Sequence, residues 1–247
     1  MGKNEGSCAM ISTILWDVDG TLLDFLLAEK VALQGLFPRF GLGVCTDALI
    51  KQYSAINLGY WERLERGELS REQVMVGRYE EFFRTIGQDP GKAAAFNEAY
   101  QVALGQTAVC RDDSYTILAS LRGRLGQYAV SNGTEQAQTA KLRNSGLDRL
   151  MDGIFLSERL GVEKPGAEFF EKVFAAIGER PREQVLIVGD SLTSDIRGGI
   201  NAGLRTCWYN PDHKENHAAL LPEWEIDDLH TVYDILSLEN GVDYRPA

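Results

Sequence analysis

The chain has 247 residues, enough for one large or two modest domains. Its 44% hydrophobic content is that of a globular protein, and a formal net charge of −11 disfavours nucleic acid or an anionic membrane as a main partner. No apolar run is long enough to span a bilayer. Met1 to Met10 is polar and Gly-rich, lacks the apolar centre of a signal peptide, and reads as a loose extension. Cys8, Cys45, Cys110 and Cys207 are scattered, with no Cys-x-x-Cys pair. That pattern argues against zinc and against a disulfide framework, and for buried thiols in a reducing, cytoplasmic compartment. His213 and His217, spaced i, i+4, have no strong third ligand close in sequence and read as solvated loop residues, like His230.

Ile14 to Trp16 predicts a buried strand. Phe25 to Phe37 has the apolar spacing and helix formers of a helix that ends before Pro38. Thr46 and Asp47 offer an N-cap for a long stretch to Arg66, and Ser70-Arg71-Glu72-Gln73 is a capping box for a helix reaching Gly87. Gly91 to Gln106 is Ala-rich and reads as a further helix. Strand and helix then alternate. Asp112-Asp113 leads a helix to Arg122, and Gly126–Ser131 is a strand. Thr134 caps a helix closing at Gly146, and Gly153–Ser157 is a strand. Ala167–Ile177 is a helix, Val185–Gly189 a strand, Ile196–Ala202 a helix, and Leu204–Tyr209 a strand. This alternation predicts an α/β fold with a doubly wound parallel sheet. The sheet domain takes residues 11–24 and 108–240, and an all-helical insert takes residues 25–107.

The first strand ends in Asp17-Val18-Asp19-Gly20-Thr21-Leu22. Residues i and i+2 of an extended strand end face one way, so Asp17 and Asp19 share a pocket. Two close carboxylates call for a cation or a shared proton. Gly20 permits a tight turn, and Thr21 offers a hydroxyl and an amide to an oxyanion. Three more strand-end stretches follow. Val130-Ser131-Asn132-Gly133-Thr134 opens a helix whose free amides suit a phosphate. Lys164-Pro165 supplies a cation before a helix, and Val188-Gly189-Asp190-Ser191-Leu192-Thr193-Ser194-Asp195 puts another acid at a strand end. Taken singly, each has a bland reading: an Asx turn, a capped helix, a surface lysine, an acid near a helix start.

In this order they resemble the four motifs of the haloacid-dehalogenase-like phosphohydrolases. The resemblance implies an α/β core under a mobile helical cap, a Mg²⁺ cofactor, and phosphomonoester hydrolysis through an aspartyl-phosphate. It implies Asp17 as nucleophile and Asp19 as general acid and base. Thr21, Ser131, Asn132 and Lys164 would bind the phosphoryl group, with Lys164 also neutralising charge. The Asp17 and Asp190 carboxylates and the Asp19 carbonyl would hold Mg²⁺, and Asp195 would stand behind them on Lys164 or a metal-bound water.

The insert carries Asn57-Leu58-Gly59-Tyr60-Trp61 and Arg78-Tyr79, and Cys207-Trp208-Tyr209-Asn210 comes late. Together these resemble a bacterial subgroup of pyrimidine 5′-nucleotidases acting on UMP, dUMP and dTMP. Asn57, Trp61 and Arg78 then become candidates for nucleoside selection; equally, Tyr60 and Trp61 read as packing within the insert. Gly59 departs from the bulkier residue expected and leaves the pocket shape open. Alternatives remain. A sugar-phosphate or phosphoglycolate phosphatase or phosphomutase would share the motifs. A 2-haloacid dehalogenase would lack the second acid and need no metal. A phosphonate hydrolase would need an insert lysine such as Lys30, Lys51 or Lys92. A catalytically silent binding module would explain the fold but not the motifs. The partner implied is a small phosphomonoester, and the sequence leaves monomer and homodimer open.

Overall fold

The computed structural model describes residues 10–246, so Cys8 and all but the last residue of the expected N-terminal extension lie outside the described residues. Six strands, β1 Thr13–Trp16, β2 Gly126–Ser131, β3 Gly153–Leu156, β4 Val185–Gly189, β5 Arg205–Tyr209 and β6 Trp224–Ile226, form one parallel sheet ordered β3-β2-β1-β4-β5-β6. β4 is apolar throughout, and β1 is apolar but for Thr13, because both faces of the sheet are covered. Ile14 and Trp16 pack into one cluster with Leu186 and Val188, while Leu15 packs into the other with Val185 and Ile187. This two-residue alternation divides the core. One face is covered by α5 Ser114–Leu121, α6 Glu135–Ser145 and α10 Thr231–Asn240, and the other chiefly by α8 Ala167–Ile177 through Phe169, Phe170, Val173 and Phe174. Two short helices, α7 Ser157–Leu160 and α9 Arg197–Asn201, lie in the crossovers. β1 pairs with β2 on one side and with β4 on the other, so the strand order reverses about β1 and opens a crevice at its carboxyl end.

Between β1 and α5 the chain builds four helices, α1 Phe25–Arg39, α2 Asp47–Glu65, α3 Arg71–Thr85 and α4 Ala93–Gln106. Asp24, Thr46 and Ser70 cap the first three through side-chain oxygens, and Ser70 and Gln73 satisfy each other's backbone amides as the sequence predicts. The insert has its own apolar cluster, rich in rings: Phe37, Tyr53, Tyr79, Phe82, Phe83, Phe96 and Tyr100. Tyr53 and Tyr79 stack at 5.2 Å, and Phe83 meets Phe96 edge-on at 5.2 Å. Ala137 of α6 belongs to the same cluster, so the insert also packs on the sheet domain.

Several expectations need correction. α1 does not end before Pro38 but runs to Arg39. A proline in the last turn removes one amide from the ladder, and the Phe40 amide still reaches Leu36 O. The helix expected over 196–202 begins as a π-helical turn at Leu192–Ile196. β6 and α10 were not foreseen, because the loop residues before them mask a three-residue strand. Gly59 is half-buried on α2, with nothing within 4 Å of an added Cβ, and does not line the cavity. The thiols of Cys45 and Cys207 are buried as expected, Cys110 is only half-buried, and His213 and His217 are exposed as expected. Among the described residues no helix is long and apolar enough to cross a membrane.

Gly59 in the interior of α2 and Gly105 in the last turn of α4 should respond oppositely to alanine. At Gly59 the gain in helix propensity acts alone, so Gly59→Ala should stabilise by about 0.5–1 kcal/mol. At Gly105 an added Cβ would lie 2.6 Å from Ala140 Cβ on α6. Gly105→Ala should therefore destabilise by about 1–3 kcal/mol as α4 is pushed from α6. Urea unfolding of both variants measures the difference, and equal shifts would contradict the close approach.

Candidate active site

The carboxyl ends of β1, β2 and β4 converge. Asp17 follows β1 and is anchored by its amide, which donates to Val188 O at 2.9 Å. The loop then folds back, with Leu22 and Leu23 amides both donating to Val18 O. Gly20 makes that turn at φ +93°, and a Cβ there would lie 2.5 Å from Asp190 Oδ2, so only glycine lets the two strand ends close together. Gly189 is similar: its Cβ would meet Asp195 Cγ at 2.3 Å.

Lys164 is 1% exposed and spends its ammonium on three acceptors. It donates to Asp17 Oδ1 at 2.8 Å, Asp195 Oδ1 at 2.6 Å and Val130 O at 2.9 Å. Although burial opposes its charge, the Asp17 and Asp195 carboxylates hold Lys164 above the ordinary lysine range. Burial first, then the Asp195 charge, push Asp17 well above the usual carboxylate range against the pull of Lys164. Burial and Asp195 likewise push Asp190 up to about 7.

The sequence-predicted residues meet here, with some roles redistributed. The Thr21 hydroxyl is buried and donates to Asp17 Oδ2 at 3.1 Å, so its side chain orients the acid and does not face the cavity. Ser131 lines the cavity, its Oγ accepting from the Gly133 amide at 3.0 Å. The Asn132 side chain clamps the Lys164 backbone, donating to its carbonyl at 2.8 Å and accepting from its amide at 2.9 Å. Asp195 has both oxygens engaged, one by Lys164 and the other by the Ser191 amide at 3.1 Å.

Asp19 is held by two residues that the sequence reading missed. Gln138 Nε2 donates to Oδ2 at 2.6 Å and Lys141 Nζ to Oδ1 at 2.7 Å. Both stand on α6 at i, i+3, one face of the helix that Thr134 caps. That spacing, directly after the second motif, was the available signal.

Above these groups lies a cavity of about 420 Å³, lined from the sheet side by Asp17, Asp19, Ser131, Lys164 and Asp190 and from the insert by Asn57, Trp61 and Arg78. The three insert candidates therefore share one cavity with the motif residues. Their polar groups are largely spent on each other. Asn57 donates to Glu29 Oε2 at 3.1 Å and accepts from Arg78 Nη1 at 2.7 Å. Arg78, 2% exposed, also donates to Asn97 Oδ1 at 3.1 Å. Glu29 is buried beneath them, accepts from Ser54 and Tyr100, and is pushed above its usual range by burial. The amide and guanidinium expected to read a base instead build the cavity wall, and Trp61 is the half-buried ring facing the space.

The donor set suits a hard cation. Carboxylate oxygens of Asp17, Asp190 and Asp195 lie within 4.8 Å of one another. Among the described residues no hydrogen-bond donor reaches the Asp190 carboxylate, and Lys164 offsets one of three negative charges. With all three acids ionised two charges are left, which a divalent ion with oxygen ligands would neutralise.

The family model for haloacid dehalogenase-like hydrolases matches residues 11–203. The chain is 38% identical to a putative HAD-hydrolase, YfnB, of Bacillus subtilis over 93% of this chain and 97% of that protein. It is 37% identical to the pyrimidine 5′-nucleotidase PynA of Streptococcus pneumoniae, over 90% of this chain and 94% of that one. It is 31% identical to the pyrimidine 5′-nucleotidase YjjG of Escherichia coli, over 90% and 96%. A crystal structure of YfnB bound to magnesium superposes with a TM-score of 0.86, covering 92% of this chain and 99% of that one. With its four strand-end motifs gathered at one crevice, the chain belongs to the haloacid dehalogenase-like hydrolases.

Proposed function

We propose that the chain is a Mg²⁺-dependent phosphomonoesterase that works through an aspartyl-phosphate on Asp17, with pyrimidine nucleoside 5′-monophosphates as its preferred substrates. The observation that carries the reading is Lys164, buried between Asp17 and Asp195 with Asp190 alongside, together with a second acid, Asp19, two residues beyond the nucleophile. A 2-haloacid dehalogenase needs no such second acid.

The Asp17 and Asp190 carboxylates and the Asp19 carbonyl would hold the ion, with Asp195 behind them on Lys164. When bound, Mg²⁺ offsets charge on the transferring phosphoryl group. An Asp17 oxygen attacks phosphorus, and the bond from phosphorus to the leaving oxygen breaks. Asp19 gives its proton to that oxygen, then takes one from the water that attacks the aspartyl-phosphate and releases inorganic phosphate. Lys164 neutralises the approach of a carboxylate to an anionic ester, a repulsion that is strong at low dielectric. Ser131 and the amides at the start of α6 would donate hydrogen bonds to the phosphoryl oxygens.

Nucleotide preference rests on the insert and on the names of two relatives, PynA and YjjG. The insert acts as a cap, closing the space above the phosphoryl site with Trp61 and the Asn57–Arg78 wall. A planar base suits an aromatic face.

Asp17→Asn should abolish phosphate release while the variant keeps its cooperative unfolding; turnover within about tenfold of wild type would assign the nucleophile elsewhere, since a lost covalent nucleophile costs far more than that. EDTA should abolish activity and added Mg²⁺ restore it, with Asp190→Ala steeply raising the Mg²⁺ requirement. Full activity in chelator would contradict the metal scheme. Trp61→Ala should lower kcat/KM for UMP by about ten- to a hundredfold, the worth of a base–aromatic stack, and leave a generic aryl phosphate nearly unchanged. Equal losses on both would reduce Trp61 to packing.

A further inference from the structure

Arg71 opens α3 in the helical insert, yet every hydrogen bond its guanidinium makes crosses to the sheet domain. Nε donates to Glu163 Oε1 at 3.2 Å, and Nη2 donates to Asn132 O at 3.1 Å and to Ser157 Oγ. The side chain is 17% exposed, and Trp61 lies across its face at 5.8 Å. These acceptors are not scattered. Asn132 is the residue whose amide clamps the Lys164 backbone at both its N–H and its C=O, and Glu163 immediately precedes Lys164. One planar cation thus holds the two segments that seat the buried lysine, and it does so from across the cleft.

We propose that Arg71 is a positioning residue that ties docking of the insert to the seating of Lys164 against Asp17. The inference rests on the phosphoryl-transfer reading above. A guanidinium fits the task because its fixed fork of donors spans three acceptors in different directions; a lysine ammonium is a point donor on a flexible stem. Placing Trp61 on the same guanidinium links the wall that meets the substrate with the segment that carries the charge. The tie acts on geometry, so it governs the chemical step for every substrate, including those with no base to stack.

The test is Arg71→Ala assayed with Mg²⁺ on UMP and on an aryl phosphate, with and without millimolar guanidinium. The expected result is a fall in kcat of roughly ten- to a hundredfold on both substrates, the scale of a misplaced catalytic group. Guanidinium should restore part of it, and sodium chloride at equal ionic strength should not. Small-angle scattering of the substrate-free variant should show a larger radius of gyration than wild type as the insert swings away. An unchanged kcat on the aryl phosphate, a loss confined to KM for UMP, or a loss that guanidinium leaves untouched would overturn the proposal. Should Arg71→Ala fail to fold, Glu163→Gln combined with Ser157→Ala weakens or removes two of the three contacts and must show a smaller fall in the same direction; wild-type kcat there overturns it too. A wild-type protein without phosphatase activity would refute the phosphoryl-transfer reading instead, and the scattering comparison would still decide whether Arg71 holds the insert.

Discussion

The ammonium of Lys164 is the interaction on which the rest of the site depends. Three carboxylates crowd the end of a buried sheet, and without that cation their repulsion would oppose the approach of the strands that carry them. Its third contact, to the carbonyl of Val130, fastens it to β2, so a single side chain bridges the ends of β1, β2 and the loop after β4. Burial is costly for an isolated charge, and here it is offset because every donor has an acceptor. The acids beside it remain strained: Asp17 and Asp190 both titrate above their usual range. A divalent cation held among these acids would offset the same repulsion.

The sheet explains why these groups meet at all. β1 is flanked by β2 and β4, and the three strands are parallel, so their carboxyl ends lie at one edge. Two glycines then set the spacing. Gly20 and Gly189 each stand where a Cβ would overlap an aspartate, which shows how closely the backbone is drawn around the acids. The insert leaves the sheet domain directly after the Asp17–Asp19 loop, and Asp24, the last residue of that loop, caps its first helix. A movement of α1 is thereby linked in covalent sequence to Asp17 and Asp19, and the return path comes back through Cys110, bridged to Leu23.

What the sequence made legible follows from locality. Asp17, Asp19, Lys164, Asp190 and the Ser131–Asn132 pair were readable because each sits at the end of an apolar run, where strand, turn and polar residue are adjacent in the chain. The strands with continuous apolar cores, such as Val185–Gly189, were placed to the residue for the same reason. Asp19's partners were not legible, since Gln138 and Lys141 lie 119 and 122 residues away and each alone looks like a surface side chain of a helix. Arg71 was hidden inside a capping box that accounts for its neighbours without it. Side-chain identity suggested that Asn57 and Arg78 would be free to bind a base; their mutual hydrogen bond depends on the packing of α2 against α3, which periodicity cannot supply.

That difference separates two kinds of constraint within one cavity. The sheet side presents groups whose chemistry is common to any phosphomonoester: an acid pair, a buried cation and the amides of a helix start. The insert side presents a wall whose polar members neutralise each other. Glu29, Asn57 and Arg78 form a chain running from a buried carboxylate to a buried guanidinium. A cavity wall of this kind is rigid, because withdrawing any member leaves a buried charge unpaired. The wall lies within the insert, which meets the sheet side through apolar packing of α4 on α6 and through polar ties. Arg71 reaches Glu163 and Asn132, Glu65 accepts from Thr193 at 2.6 Å, and Gln101 accepts from Thr134 at 2.7 Å. Polar ties exchange for water more readily than the apolar contact of α4 with α6. The wall thus keeps its shape through bonds that lie within the insert, Asn57 on α2 and Arg78 on α3 bonding each other and Asn57 bonding Glu29 on α1.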